Sequence, residues 1–311
     1  MRSTHLLALA ATVLICGCGA EQNAKLLVKR NTTPGKLRQD LEGTGDQLVK
    51  QGKIDLHRSC RTPDGVVIDA WVIRAKDPTG SNPAEKPLGT VMGLHRLEES
   101  KASWPFLGTG QRLAKMGYDV VLPDLRAHGR SGGEYVTYGA KEKYDVKALI
   151  DALLAEGEIH EPIYAFGVTL GAATAIQYAA IDPRCKGVLA MTPYKDFRSW
   201  ARRELLMLSE QDFEKAFVAS GRLADFDPEE ASVIEAARKV TAPMFLVHGM
   251  IDLSVPSDHS QGIYDAAAGP KKLQLVTPGP EQFALFAVME DWIADKMNMV
   301  ATGGLLEEQS E

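Results

Sequence analysis

The side chains best able to do chemistry are hydroxyls, carboxylates and imidazoles that a backbone turn exposes. One such turn stands out: Phe166-Gly167-Val168-Thr169-Leu170-Gly171-Ala172 lies between an apolar run and a stretch of small residues. Glycines on both sides permit a sharp strand-to-helix turn with the hydroxyl at its tip, since no side chain must fit beside it. A hydroxyl presented in this way attacks acyl carbon only when a neighbouring base takes its proton and later returns it. Imidazole does so near neutral pH, and the chain has seven: His5, His57, His95, His128, His160, His248 and His259. None lies beyond His259, so the C-terminal part of the chain supplies no such base. The histidines are not at metal-ligand spacing, the cysteines are isolated, and Gly129, Gly132 and Gly133 lack the G-x-G-x-x-G pattern. No metal and no cofactor is implied.

The elements that must position this turn read as alternating strands and helices. Ile54 to Arg61 and Val66 to Ile73, separated by Pro63-Asp64-Gly65, read as an antiparallel start. Apolar strands follow at Gly89 to His95, Tyr118 to Pro123, Ile163 to Phe166, Gly187 to Met191, Met244 to Val247 and Lys272 to Val276. Gly89 to His95 is apolar without alternation, as expected of a strand covered on both faces. Helical patterns separate the strands, at Ser103 to Met116, Ala140 to Glu156, Leu170 to Ile181, Asp258 to Ala267 and Gln282 to Met297. Repeated βα units predict an α/β fold with a mostly parallel, doubly wound sheet and helices on both faces. The interval 197–240 breaks the rhythm with helical signals alone, Ser209 with Asp212 and Asp227 before Pro228, and reads as a small helical cap over the sheet.

The motifs now fall into an order. Leu94-His95, Asp124-Leu-Arg126-Ala-His128-Gly129-Arg130-Ser131, the Thr169 turn, His248-Gly249-Met-Ile-Asp252-Leu-Ser-Val255-Pro256 and Thr277-Pro278-Gly279 together resemble the α/β-hydrolase family over residues 54–298. By that resemblance Thr169 stands at the family's serine, Asp252 at its acid, and Gln282 at its histidine. The oxyanion donors would be the N–H groups of Leu97 and Leu170, with Arg96 where the family has glycine. An amide cannot carry the proton, although it can accept a hydrogen bond from Thr169 and donate one to Asp252. Threonine adds a second obstacle, because the turn's backbone strain weighs more on a β-branched residue. In serine proteases, losing one triad member costs on the order of 10⁴ to 10⁶ in turnover. The resemblance therefore implies a pseudoenzyme that keeps a pocket between sheet and cap for a small or acyl-bearing ligand or acts as a scaffold. The alternative is a hydrolase of carboxylic esters or related acyl compounds acting through Thr169. Without a histidine partner, Asp252 reads as a loop carboxylate satisfied by backbone N–H groups rather than as an acid oriented toward a base. His128 and His248 read as scaffold, Arg96 as solvated or ion-paired, and Trp104, Trp200 and Trp292 as core or cap packing.

The chain has 311 residues and a formal net charge of -6, which gives no basic field for nucleic acid. Its start reads as a targeting segment: Arg2 precedes an apolar run, Leu6 to Ile15, too short to span a bilayer, and Cys16-Gly17-Cys18 follows. That ending resembles a bacterial lipobox, with 1–17 a signal peptide and Cys18 the lipidated residue. The membrane is then a partner through the anchor, and the location is the cell envelope, on the periplasmic side or at the outer membrane. Residues 18–53 read as a polar tether with room for a short helix, and 299–311 as a tail. Cys60 and Cys185 read as buried apolar side chains, not a disulfide.

Overall fold

The computed structural model describes residues 19–80, 82–277 and 289–304. The targeting segment, Cys18, Pro278, Gly279, Gln282 and the tail from residue 305 lie outside these residues.

Eight strands form one sheet: β1 Leu56–Arg61, β2 Val67–Ile73, β3 Thr90–Leu94, β4 Asp119–Pro123, β5 Ile163–Val168, β6 Cys185–Met191, β7 Met244–Gly249 and β8 Lys271–Val276, in the order β1-β2-β4-β3-β5-β6-β7-β8. β1 pairs antiparallel with β2 and β2 with β4, and every later pairing is parallel. The doubly wound architecture expected from the sequence is thus present. Strand residues alternate between two cores, because successive side chains point to opposite faces. From β2, Ile68, Ala70 and Val72 join a core with α5 Glu142–Ala155 and α6 Leu170–Ala179, whereas Trp71 and Ile73 join one with α4 Phe106–Lys115 and α11 Met289–Thr302. Strands β3 and β4 are buried along their whole length, which is why they show no polar period.

Residues 19–53, read from sequence as a polar tether with room for a short helix, are more helical than that. They carry α1 Ala20–Val28, α2 Thr33–Glu42 and α3 Gly45–Lys50. α1 buries Asn23, Ala24, Leu27 and Val28, packs on a cap helix, and accepts the Val136 N–H at the Val28 carbonyl, 2.9 Å away. Helices of this length are marginal alone, so their few apolar residues leave little periodic signal, and the packing partner supplies the stability.

Between β6 and β7 the described chain is helical: α7 Phe197–Glu204, α8 Glu210–Ala224, a 3₁₀ turn Pro228–Glu230 and α9 Val233–Ala237. Two cap signals act as expected, with the Asp212 N–H donating to Ser209 Oγ and the Glu229 N–H to Asp227 Oδ1. Tyr138, Phe197 and Trp200 stack at the centre of this region, Tyr138 and Phe197 with ring centroids 4.1 Å apart. α10 Asp258–Ala266 then packs beside β7 and β8. Cys185 is buried, and burial pushes its thiol up to about 12. Cys60 departs from expectation: on edge strand β1 it is only half-buried, because no further strand covers that margin.

Candidate active site

The Thr169 turn joins β5 directly to α6, with Thr169 at φ 50° and ψ -103°. The conformation is held by its own backbone bonds: the Thr169 N–H donates to the Met191 carbonyl at 2.9 Å, and its carbonyl accepts the Ala173 N–H at 2.9 Å. It is held as much by absence of side chains. A Cβ at Gly171 would overlap the Leu94 and His95 carbonyl groups, and one at Gly167 would overlap the backbone of Gly171. The first turn of α6 therefore sits hard against the end of β3. A β-branched residue with positive φ costs on the order of 1–3 kcal/mol, which the surrounding packing must offset.

The Thr169 hydroxyl meets another hydroxyl. Thr169 Oγ1 lies 3.2 Å from Thr192 Oγ1, and Thr192 also has positive φ, 49°, just past the end of β6. Sequence reasoning missed Thr192. Its signal was the strand register, because Val168 pairs with Met191 and each is followed by threonine. Two hydroxyls can exchange donor and acceptor roles, but neither is a base at neutral pH.

Asp252 reaches the same pocket but is already engaged. Its Oδ1 accepts the N–H groups of Ser254 and Val255, each at 2.8 Å, which matches the loop-carboxylate reading made from sequence. Its Oδ2 lies 3.9 Å from His248 Nε2, beyond hydrogen-bond range. The His248 ring is buried and held at both nitrogens, Nε2–H donating to the Val255 carbonyl at 2.7 Å and Nδ1 accepting from Ser260 Oγ at 2.6 Å. His128 is likewise buried and used up: Nδ1–H donates to the Arg126 carbonyl and Nε2 accepts the Glu98 N–H. His95 donates from Nδ1 to the Arg96 carbonyl and accepts the Leu125 N–H at Nε2, and burial, aided by His128, depresses its pKa to about 3. Among the described residues, then, the imidazoles nearest this turn are structural, and none bonds to Thr169.

Arg96 stands at the pocket mouth, half exposed, in an ion pair with Glu99. Leu97 and Leu170 turn their side chains into the core, and neither N–H has an acceptor among the described residues. Gln282 lies outside the described residues, so the third position of the set is known from sequence alone.

The pocket that joins Thr169, Thr192, Asp252 and His248 has a volume of about 350 Å³. Its walls are mainly apolar, Phe106, Val168, Met191, Val276, Met289 and Trp292 among them. Two sequence expectations change here. The cap does not form this pocket, since no residue of 197–240 lines it; the cap helices instead pack on α1, on α6 and around Tyr138. Trp104 is not core packing but a partly exposed wall of the pocket, and Trp292 also lines it, whereas Trp200 is buried in the cap as expected.

Comparison with known proteins agrees with this architecture. Residues 85–219 match the family model described as serine aminopeptidase, S33. The uncharacterized protein YfhR of Escherichia coli (strain K12) is 24% identical over 218 residues, covering 70% of this chain and 69% of that protein. The uncharacterized protein YqkD of Bacillus subtilis (strain 168) is 25% identical over 174 residues, covering 53% and 56%. Among solved structures, the Pyrococcus furiosus esterase Pf2001 superposes with a TM-score of 0.59 at 21% identity, covering 79% of this chain and 93% of that one. Est1E from Butyrivibrio proteoclasticus, solved with ferulic acid bound, superposes with a TM-score of 0.57 at 18% identity, covering 76% and 98%. The sheet order, the glycine-flanked turn and these superpositions lead to one conclusion: the chain has the α/β-hydrolase fold.

Proposed function

We propose that this protein is a non-catalytic member of the fold, which keeps the pocket at Thr169 as a binding site for a small or acyl-bearing ligand and has lost hydrolysis. One observation carries the reading: the hydroxyl at the nucleophile position bonds to a second hydroxyl, and the pocket's one described imidazole, His248, is committed at both ring nitrogens. Among the described residues, proton transfer from Thr169 has no carrier, and without one the attack step has no route. The apolar walls suit an acyl or aryl group. Lipidation at Cys18 would place the protein in the cell envelope, on the periplasmic side or at the outer membrane.

The alternative, ester hydrolysis through Thr169, draws on the intact turn. The two readings separate in a turnover assay with short p-nitrophenyl esters. Wild type should match buffer, and Thr169→Ser with Gln282→His should gain turnover, because the turn is already formed. Turnover by wild type that Thr169→Val abolishes would establish the alternative.

A further inference from the structure

Exposed apolar side chains are ordinary when scattered and informative when they gather. Of the fourteen large apolar residues exposed among the described residues, four lie at or beside the lining of the Thr169 pocket: Trp104, Met250, Ile251 and Leu253, between 39% and 81% exposed. Trp104 and Ile251 are walls of the Thr169 pocket, and Leu253 lies between its lining residues Asp252 and Ser254. The Arg203 guanidinium donates to the Leu253 carbonyl, which brings the end of α7 against the same loop. The pocket thus opens through an apolar rim built from two segments.

What covers this rim is indicated by the chain that enters beside it. Arg30, just past α1, donates to Glu98 at 3.0 Å and to Glu204 at 3.2 Å, so the chain passes the rim there. α1 begins at Ala20. At about 1.5 Å per helical residue, Gly19 lies within roughly 20 Å of those contacts, and Cys18 is the next residue back. A lipid on Cys18 would therefore hold a bilayer within reach of the rim, raising its effective concentration there. The charges around the rim do not select anionic lipid: Arg96 is paired with Glu99, Arg30 with Glu98 and Glu204, and the Arg203 guanidinium is engaged by the Leu253 carbonyl.

We propose that the rim docks on a zwitterionic phospholipid surface, with Trp104, Ile251 and Leu253 among the acyl chains, so that the pocket draws its ligand from the lipid phase. This deepens the ligand-binding reading but does not depend on whether Thr169 is catalytic, and the test below does not involve hydrolysis.

The test uses the full chain purified without lipid modification and phosphatidylcholine vesicles brominated on the acyl chains. Docking predicts tryptophan quenching that Trp104→Phe removes, unchanged between low and high salt. Ile251→Ser with Leu253→Ser should weaken vesicle binding by about tenfold or more, whereas Tyr144→Ser, exposed on α5 and lining a separate pocket with Arg126 and Asp145, should change it by less than about twofold. These side chains are exposed, so thermal melts should be unchanged. Quenching that survives Trp104→Phe undiminished, or a double variant that binds vesicles like wild type, would overturn the proposal. So would a wild-type dimer that the double variant disrupts while vesicle binding stays constant, which would make a second copy the rim's partner.

Discussion

The turn that carries Thr169 and the loop that carries Asp252 end strands two places apart in the same sheet, and they are held in opposite ways. Thr169 is fixed by what cannot move: Gly167 and Gly171 leave no room beside Leu94 and His95, and a strained backbone is locked between β5 and α6. Asp252 is fixed by two N–H groups of its own loop, in a segment whose neighbours Ile251 and Leu253 face solvent. One side is dictated by packing of the whole sheet; the other is local and replaceable. A sequence can therefore keep the glycine pattern for stability alone, and an intact turn is weak evidence of catalysis.

The comparison breaks most readily at Gly171. Gly171→Ala places a methyl group on the Leu94 carbonyl and should cost about 3 kcal/mol, a fall of roughly 5 to 10 °C in Tm by calorimetry. If alanine is tolerated without loss, the rigidity assigned to this side is wrong.

The next effect is one of pH. His95, whose carbonyl abuts Gly171, stays neutral in the fold down to about pH 3, while an unfolded histidine protonates near 6.5. The folded pKa is depressed, so the stability this residue contributes is present above pH 6.5 and is lost as pH falls toward 3. The loss should approach at most about 1.4 kcal/mol per pH unit within that window. His95→Gln, which retains a donor and an acceptor, should flatten this part of a chemical-denaturation profile.

Smaller effects belong to the loop. Asp252→Ala removes the acceptor for two N–H groups and should cost about 1 kcal/mol, whereas Asp252→Asn keeps that oxygen and should cost less. A cost for Asp252→Asn as large as for Gly171→Ala would erase the contrast. Smallest of all, Thr192→Val deletes one hydroxyl contact in an open pocket and should change stability by roughly 0.5 to 1 kcal/mol in urea.

The same contrast explains what could be read from sequence. The elements of the sheet were legible because strands such as β4 are buried on both faces and carry no polar period, and the turn was legible because two glycines at fixed spacing have a steric cause. The satisfied state of Asp252 was legible too, since an aspartate three residues before Val255 can fold back on its own loop. Features made by distant segments were not. α1 contributes only a short apolar face that α8 completes, and Trp104 and Trp292 meet at the pocket from α4's entry and α11. The distance between the cap and the pocket was invisible for the same reason: helical signals show that 197–240 folds, not where it packs. Arg130 and Ser131 look chemical in sequence, yet the Arg130 N–H and the buried Lys101 are spent on Asp124, and Ser131 bridges Asp69 and Asp124.

Intact-mass spectrometry of the purified protein after treatment with a fluorophosphonate probe tests the central claim most directly, because the probe needs an activated hydroxyl and no particular substrate. The account predicts no adduct on wild type and an adduct on Thr169→Ser with Gln282→His. A stoichiometric adduct on wild type, mapped to Thr169, would contradict it.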